Sequence, residues 1–327
     1  MKLALLDLLA CPKCHGLLDI ETKISSQDEV DEGALFCRGC STQYPIVAGI
    51  PRFIGNGNYA GSFGYQWNIF RGEQIDSVNG TKLSANRVFS ETGWDASWMK
   101  GKWILDAGCG AGRFMDVVAK TGANIVGLDI SNAIDAAAKT VSGYPNTHFV
   151  QASIFELPFK PGVFDAAYCI GVIQHTPDPA RAIKSLPIHL KPAGKLALTI
   201  YERRKFTLLY SKYLLRPITK RLPQSVLLGL IRATMPVLFP LTEILFRIPV
   251  FGRLFKFVIP IANYVDEPAL DIRQRYKWAI MDTFDMLAPA FDSPQTQSEA
   301  EAALSSTGVK DVTRLNNLGL NIVATKN

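Results

Sequence analysis

Between residues 102 and 200 the chain alternates short apolar runs with stretches whose apolar positions recur at helical spacing. The runs predict strands at 103–107, 124–128, 147–152, 165–170 and 195–200, with helices near 112–121, 131–141 and 178–187 between several of them. Strand-helix alternation of this kind predicts a parallel, doubly wound α/β sheet. A further helix near 296–306 and two runs at 309–315 and 319–325 read as a closing antiparallel hairpin, which brings the expected sheet to seven strands. A long insertion at about 201–290 separates the two parts. Its apolar runs at 226–231 and 236–241 are broken by prolines and flanked by Lys and Arg, so they read as short helices that cannot span a bilayer.

Upstream of the sheet, residues 55–100 form a connector punctuated by Gly and Asn, with Phe63, Tyr65, Trp67, Phe70, Trp94 and Trp98 in it. Aromatic side chains this dense pack on something: either they seal a domain junction, or they line a substrate pocket. At 327 residues and 48% hydrophobic the chain is too apolar for disorder and long enough for one sizeable domain plus a smaller one. No uncharged apolar stretch reaches the ~18 residues of a spanning helix. The net charge of +6 is concentrated: between Lys205 and Lys256 nine Lys or Arg face one acid, Glu243, a local excess of +8.

Four of the six cysteines precede residue 41, in Cys11-Pro12-Lys13-Cys14 and Cys37-Arg38-Gly39-Cys40. Each CxxC lets two thiolates of one tight turn reach one metal, and two such turns complete a tetrahedral zinc shell. Four ligands close the shell, so the zinc held by Cys11, Cys14, Cys37 and Cys40 is expected to be structural, with His15 a surface side chain. A segment this short needs the metal for its folding energy. The opening MKLALLDLLAC mimics a lipoprotein signal, but Asp7 interrupts the run and Cys11 belongs to the metal set. The expectation is a cytoplasmic protein with reduced cysteines.

The run Leu6 to Cys14, then Cys37-x-x-Cys40, Tyr44-Pro45-Ile46 and Gly49-Ile50-Pro51, resembles the small zinc-ribbon family that partners and activates tRNA, rRNA and protein methyltransferases. The resemblance covers roughly the first 54 residues and implies an accessory domain beside a methyltransferase. The domain plan is then a ribbon at 1–54, the aromatic connector at 55–100, and a catalytic domain at 101–327.

Leu105-Asp106-Ala107-Gly108-Cys109-Gly110-Ala111-Gly112-Arg113 lies between the first sheet strand and its helix. Glycines at such a turn let backbone approach a ligand closely. A dinucleotide fingerprint would put its third glycine at 113, which is Arg. The GxGxG order instead resembles the first motif of class I, Rossmann-like methyltransferases, and implies S-adenosylmethionine as cofactor along Gly108, Gly110 and Gly112, with Asp106 able to hold its ammonium group directly or through a water. Asp129, at the end of the next strand, can accept both ribose hydroxyls; alternatively it caps the following helix, a role Ser131 can also fill. The stretch 151–159 resembles the adenine-contacting loop, with Ser153 where that family usually has Asp, so Ser153 and Ile154 are the expected adenine contacts. Residues 164–175, followed by Pro177-Asp178-Pro179, resemble ubiquinone-biosynthesis-type and related small-molecule methyltransferases. There His175 is either the general base toward the methyl acceptor or a loop residue holding backbone carbonyls, with Tyr201 and Glu202 as weaker bases. Cys169 reads as core and Cys109 as part of the loop.

The function implied is in-line methyl transfer to a small-molecule or lipid-like acceptor. One alternative is methylation of tRNA, rRNA or protein, suggested by the ribbon and the basic segment, although the bases there alternate with long apolar runs and no Asn-Pro-Pro-Tyr-type tetrapeptide follows the fourth strand. Another is a scaffold on a decayed fold. Apolar helices edged with bases at 205–260 are expected either to form a buried lid or to lie peripherally on a membrane.

Overall fold

A computed structural model describes every residue except 27, 28, 56, 57 and 318. The chain starts with a short helix α1 (Leu3–Leu6) and an antiparallel sheet, β1 (Leu18–Ser26), β2 (Glu29–Cys37), β3 (Gln43–Val47) and β4 (Ile50–Pro51). The apolar start is therefore not free: Met1, Leu5, Leu8, Leu9 and Cys11 are buried. They share one hydrophobic cluster with Leu128, Val150, Phe159 and Phe164 of the larger sheet. A segment too small to bury a core of its own has joined its neighbour's. Backbone hydrogen bonds close the seam: the Ala10 N–H donates to Pro158 O (3.0 Å), Lys160 N–H to Leu8 O (2.8 Å) and Phe53 N–H to Gln151 O (2.8 Å).

The connector folds into α2 (Gly61–Ile69), α3 (Asp76–Asn79), α4 (Leu83–Thr92) and α5 (Ala96–Met99). The aromatic composition of α2 hides a helical period, since it is apolar on several faces. Two asparagines anchor it instead, Asn58 just before the helix donating from Nδ2 to Ile130 O (3.0 Å) and Asn68 within it from Nδ2 to Asn132 O (3.0 Å).

Next come β5 (Trp103–Ala107), α6 (Arg113–Ala119), β6 (Asn124–Asp129), α7 (Ala133–Thr140), β7 (Thr147–Gln151), β8 (Phe164–Ile170), α8 (Pro179–Ser185) and β9 (Leu190–Ile200). The last strand starts earlier than the apolar run suggests, because residues 191–194 bulge out between the pairs Phe164↔Leu190 and Ala166↔Lys195. The insertion is α9 (Ser211–Thr219), α10 (Gln224–Leu245), α11 (Phe251–Val258) and α12 (Ile272–Leu287), and α13 (Gln297–Leu304), β10 (Val309–Arg314) and β11 (Leu320–Lys326) complete the chain. The seven strands run in the order β10-β11-β9-β8-β5-β6-β7, with β11 antiparallel to both of its neighbours and every other pair parallel. Helices α8 and α13 and the N-terminal sheet cover one face; α4, α6 and α7 cover the other. The connections leave β5 toward β6 on one side and β8 on the other, which opens a crevice at the carboxyl end of β5.

The insertion departs from expectation in one respect. The two runs expected as short helices are one helix, α10, of 22 residues with Pro236 and Pro240 inside it. Both prolines are exposed, while Met235 and Phe239 pack toward α12, so tertiary contacts hold a helix that lacks two backbone donors. By length and composition alone α10 is long and apolar enough to cross a membrane.

Candidate active site and metal centre

The crevice at β5 is a cavity of about 670 Å³. Its floor is the loop 108–111, whose first glycine has φ 90° and would drive a Cβ to 2.5 Å from Val172, so only glycine fits. Gly110 lies beneath Trp67, with a Cβ position 3.2 Å from the indole Nε1. Gly112 permits helix packing rather than ligand approach, since its φ is 83° and its Cβ would meet Ala137 of α7 at 3.2 Å.

Asp129 lines the cavity at the end of β6. Its Oδ1 accepts from Ser131 N–H (2.8 Å) and Ser131 Oγ (2.7 Å), and its Oδ2 accepts from Gly110 N–H (3.0 Å). Ser131 Oγ in turn accepts from Ala133 N–H at 3.2 Å, so the serine serves the helix start. Of the four acceptor directions of a carboxylate, one stays open on Oδ2. Burial raises the Asp129 carboxyl above its ordinary range.

Asp106 is 1% exposed and is not among the cavity-lining residues. It lies beneath the loop, accepts a hydrogen bond from Tyr168 Oη (3.0 Å), and is pushed up to about 8 by burial. The geometry therefore gives Asp106 no direct path to a ligand's ammonium group. Ile154 lines the cavity; Ser153 does not, its hydroxyl accepting from Phe155 N–H (3.2 Å) within the turn. Cys109 lines the cavity and Cys169 is buried in β8.

The connector aromatics divide. Tyr59, Phe63 and Trp67 line the cavity. Tyr65 packs on Phe284 at 5.9 Å, Phe70 joins the insertion's cluster, and Trp94 and Trp98 pack with the sheet.

His175 lines the cavity between the rings of Phe63 (5.0 Å) and Tyr201 (5.4 Å). Its Nδ1 lies 3.0 Å from Phe291 O. A carbonyl only accepts, so Nδ1 carries the hydrogen and Nε2 keeps its lone pair. Burial lowers the imidazole to about 4, which keeps the ring neutral. The backbone-holding reading of this residue is met by Nδ1, while Nε2 is left with a free lone pair facing the cavity. Tyr201 also lines the cavity, with its phenol raised by burial. Glu202 turns away to Arg314 (2.8 Å) and Arg204 (2.7 Å).

Several lining residues carried no motif: Arg87, Arg113, Tyr264, Trp278, Asp282 and Asp285. Arg113 directly follows the glycine loop. It donates to Ser84 Oγ (2.9 Å) and Gln74 Oε1 (2.7 Å) and stacks near Phe114 and Trp278. Asp282 and Asp285, one turn apart on α12, are pushed up by burial to about 6 and about 7. A spacing of three on a helix was the only trace of them in the sequence.

In the N-terminal domain the four sulfurs of Cys11, Cys14, Cys37 and Cys40 lie within 4.8 Å of one another, and all are free thiols. The Cys11–Cys40 and Cys14–Cys37 sulfur distances are 3.6 and 3.2 Å. Tetrahedral zinc with ~2.3 Å bonds places sulfurs about 3.8 Å apart, and a disulfide needs about 2 Å, so the set fits zinc. Gly16 and Gly39 leave room for it: a Cβ on either would sit 3.2 Å from a ligand sulfur. His15 is exposed and outside the cluster.

A family model described as a methyltransferase domain matches residues 105–198, and one described as Trm112p-like protein matches residues 2–49. The chain joins a class I methyltransferase domain to a Trm112-like domain. The ubiquinone biosynthesis O-methyltransferase of Coxiella burnetii is 34% identical over 115 residues, 35% of this chain and 49% of that protein. The protein of the same name from Pseudomonas aeruginosa is 30% identical over 125 residues, 36% of this chain and 54% of that protein. The chain thus spans about half the length of the curated relatives it matches. Among solved structures, human N-acetylserotonin methyltransferase in complex with SAM is 16% identical, covers 82% of this chain and 56% of that one, and has a TM-score of 0.43. S-adenosylmethionine is the cofactor of this domain type, and the loop fits it: two glycines clear the backbone, Asp129 keeps an open acceptor, and Ile154 supplies an apolar wall.

Proposed function

We propose that the protein transfers a methyl group from S-adenosylmethionine to a small-molecule or lipid-like acceptor. The carrying observation is one continuous cavity that begins at the glycine loop and Asp129 and continues past His175 into a second, ionisable half. The cofactor's sulfonium brings its own leaving group, so positioning and exclusion of water supply most of the catalytic effect. Gly108, Gly110 and Asp129 hold the cofactor end, while Phe63, Trp67 and Tyr59 roof it. His175 Nε2 takes a proton where the acceptor must lose one on attack, and Tyr201 orients that ring. Arg87, Arg113, Asp282 and Asp285 give the far half hydrogen-bonding groups for a polar head. The acceptor is then amphipathic, and the segment 205–260 brings it in at the cytoplasmic face of a membrane. Walls supplied by the connector and the insertion narrow the approach to the cavity, which favours such an acceptor over a nucleotide within folded RNA.

Isothermal titration with S-adenosylmethionine tests the reading, wild type against Trp67→Ala. Binding in the micromolar range that weakens in the variant is expected; no heat of binding in the wild type would sink it and leave the scaffold reading.

A further inference from the structure

Among the described residues, 17 of the 27 exposed large apolar side chains lie between Phe206 and Val258, about one-sixth of the chain. They are ordered. On α10, Val226, Leu230, Val237, Leu241 and Ile244 recur at spacings of four, seven, four and three, one stripe along the helix. The opposite side buries Leu227, Ile231, Met235 and Phe239 in the insertion's own cluster. On α11, Phe251, Leu254 and Val258 repeat the pattern, and on α9 so do Leu214, Leu215 and Ile218. Water-facing helices ordinarily put polar residues on these positions, and contiguous apolar surface of this extent marks an interaction site.

The charges select the partner. Lys205, Lys220, Arg221, Arg232 and Arg253 are exposed and make no ion pair among the described residues. Apolar stripes edged with unpaired cations suit the headgroup boundary of an anionic bilayer. Crossing the bilayer is disfavoured by the inner face of α10: Glu243 pairs with Arg275 at 2.6 Å, and Thr242 Oγ1 accepts from Asn263 Nδ2 at 3.0 Å, contacts that a spanning helix would have to break.

The cavity lies directly behind this surface. Tyr210, Lys212 and Lys256 line it, while their neighbours Leu208, Leu209, Leu254 and Val258 are exposed. The Tyr210 ring packs on Phe257 at 4.3 Å and joins the start of α9 to α11 across the cavity's edge. We infer that the outer face of α9, α10 and α11 docks in the interface of an anionic membrane and that the acceptor passes from the bilayer into the cavity beside Tyr210. The surface stands on its own; what enters through it rests on the methyl-transfer reading.

Flotation of the full-length protein with phosphatidylcholine vesicles, with and without phosphatidylglycerol, tests this, alongside titration of S-adenosylmethionine. Phosphatidylglycerol vesicles should carry the protein upward, and added salt should release it. Leu230→Gln/Val237→Gln/Ile244→Gln and Lys220→Gln/Arg221→Gln/Arg253→Gln should each lower partitioning by on the order of 100-fold while leaving cofactor affinity unchanged, since none of the six lines the cavity. Wild type that binds cofactor but ignores phosphatidylglycerol vesicles at low salt overturns the inference. So does a stable dimer, seen by light scattering, that the apolar triple variant dissociates. Flotation without cofactor binding upholds the surface and sinks the methyl-transfer reading alone.

Discussion

The N-terminal ribbon and the helical insertion are both additions to one sheet, and they treat apolar residues in opposite ways. The ribbon sends Leu5, Leu9, Leu35 and Ile46 into the same cluster as β7, β8 and the loop after β7. The insertion builds a cluster on its inner side and leaves its outer stripe bare. Size explains the first: a single four-stranded sheet within the first 51 residues cannot exclude water without help, so it borrows a core and a metal. Long helices explain the second, since a helix with an apolar inner face is already stable and its outer face is free to serve a partner. The ribbon also clamps function to stability, because Leu9 bridges to Phe159 in the loop that presents Ile154 to the cavity.

Breaking the metal set should have the largest effect. A Cys37→Ser/Cys40→Ser protein should lose one zinc per chain by metal analysis, and with it folding energy on the scale of 10 kcal/mol that such sites supply. Because the ribbon braces the loop 152–159, cofactor affinity should fall with it; equal zinc content in both proteins would remove the site.

One substitution on each addition sharpens the contrast. Leu9→Ala, at a side chain 1% exposed, should cost about 2–4 kcal/mol in urea unfolding, whereas Leu230→Ala on the bare stripe should stay within about 0.5 kcal/mol. Similar costs would mean that the outer face of α10 is covered.

Asp129→Ala removes the open acceptor and the anchor of Gly110 together, and should weaken S-adenosylmethionine by about 2–4 kcal/mol in calorimetry. An unchanged affinity would exclude Asp129 from the cofactor site.

His175 gives a pH signature. Below about pH 6.5 an unfolded chain protonates this ring, while the native ring resists until about 4. Stability is therefore full above pH 6.5 and is lost as the pH falls toward 4, by roughly 3 kcal/mol. Thermal unfolding of His175→Gln should lack that part of the acid slope; identical slopes would mean the ring is solvated.

Ser153→Ala should do least, about 1 kcal/mol of stability from the turn bond to Phe155 N–H and less than a twofold change in cofactor affinity. A large loss of affinity would return Ser153 to the adenine contact its sequence position suggested.

Much of this was legible in the chain. Short apolar runs placed six of the seven sheet strands to within a residue and missed only the start of β9, since strands buried in a parallel core read as continuous apolar runs. Paired CxxC spacing located the metal set because a tight turn is a local object. The connector helices were not legible: α2 is held by Asn58 and Asn68 reaching to another element, and no local period records that.

What the sequence determined by itself was therefore the local chemistry: the glycine loop with its acid, the cysteine pairs, the strand and helix periods, and the concentration of charge and apolar runs between 205 and 258. Tertiary structure decided which of those residues meet. It turned Asp106 under the loop toward Tyr168, gave Gly112 to helix packing, fused two proline-broken runs into α10, and brought Arg87, Arg113, Asp282 and Asp285 from three helices to one cavity. The reason is that periodicity and motif spacing report contacts a few residues apart. Which face of a helix is covered, and which charge faces which across a cavity, is set by partners scores of residues away.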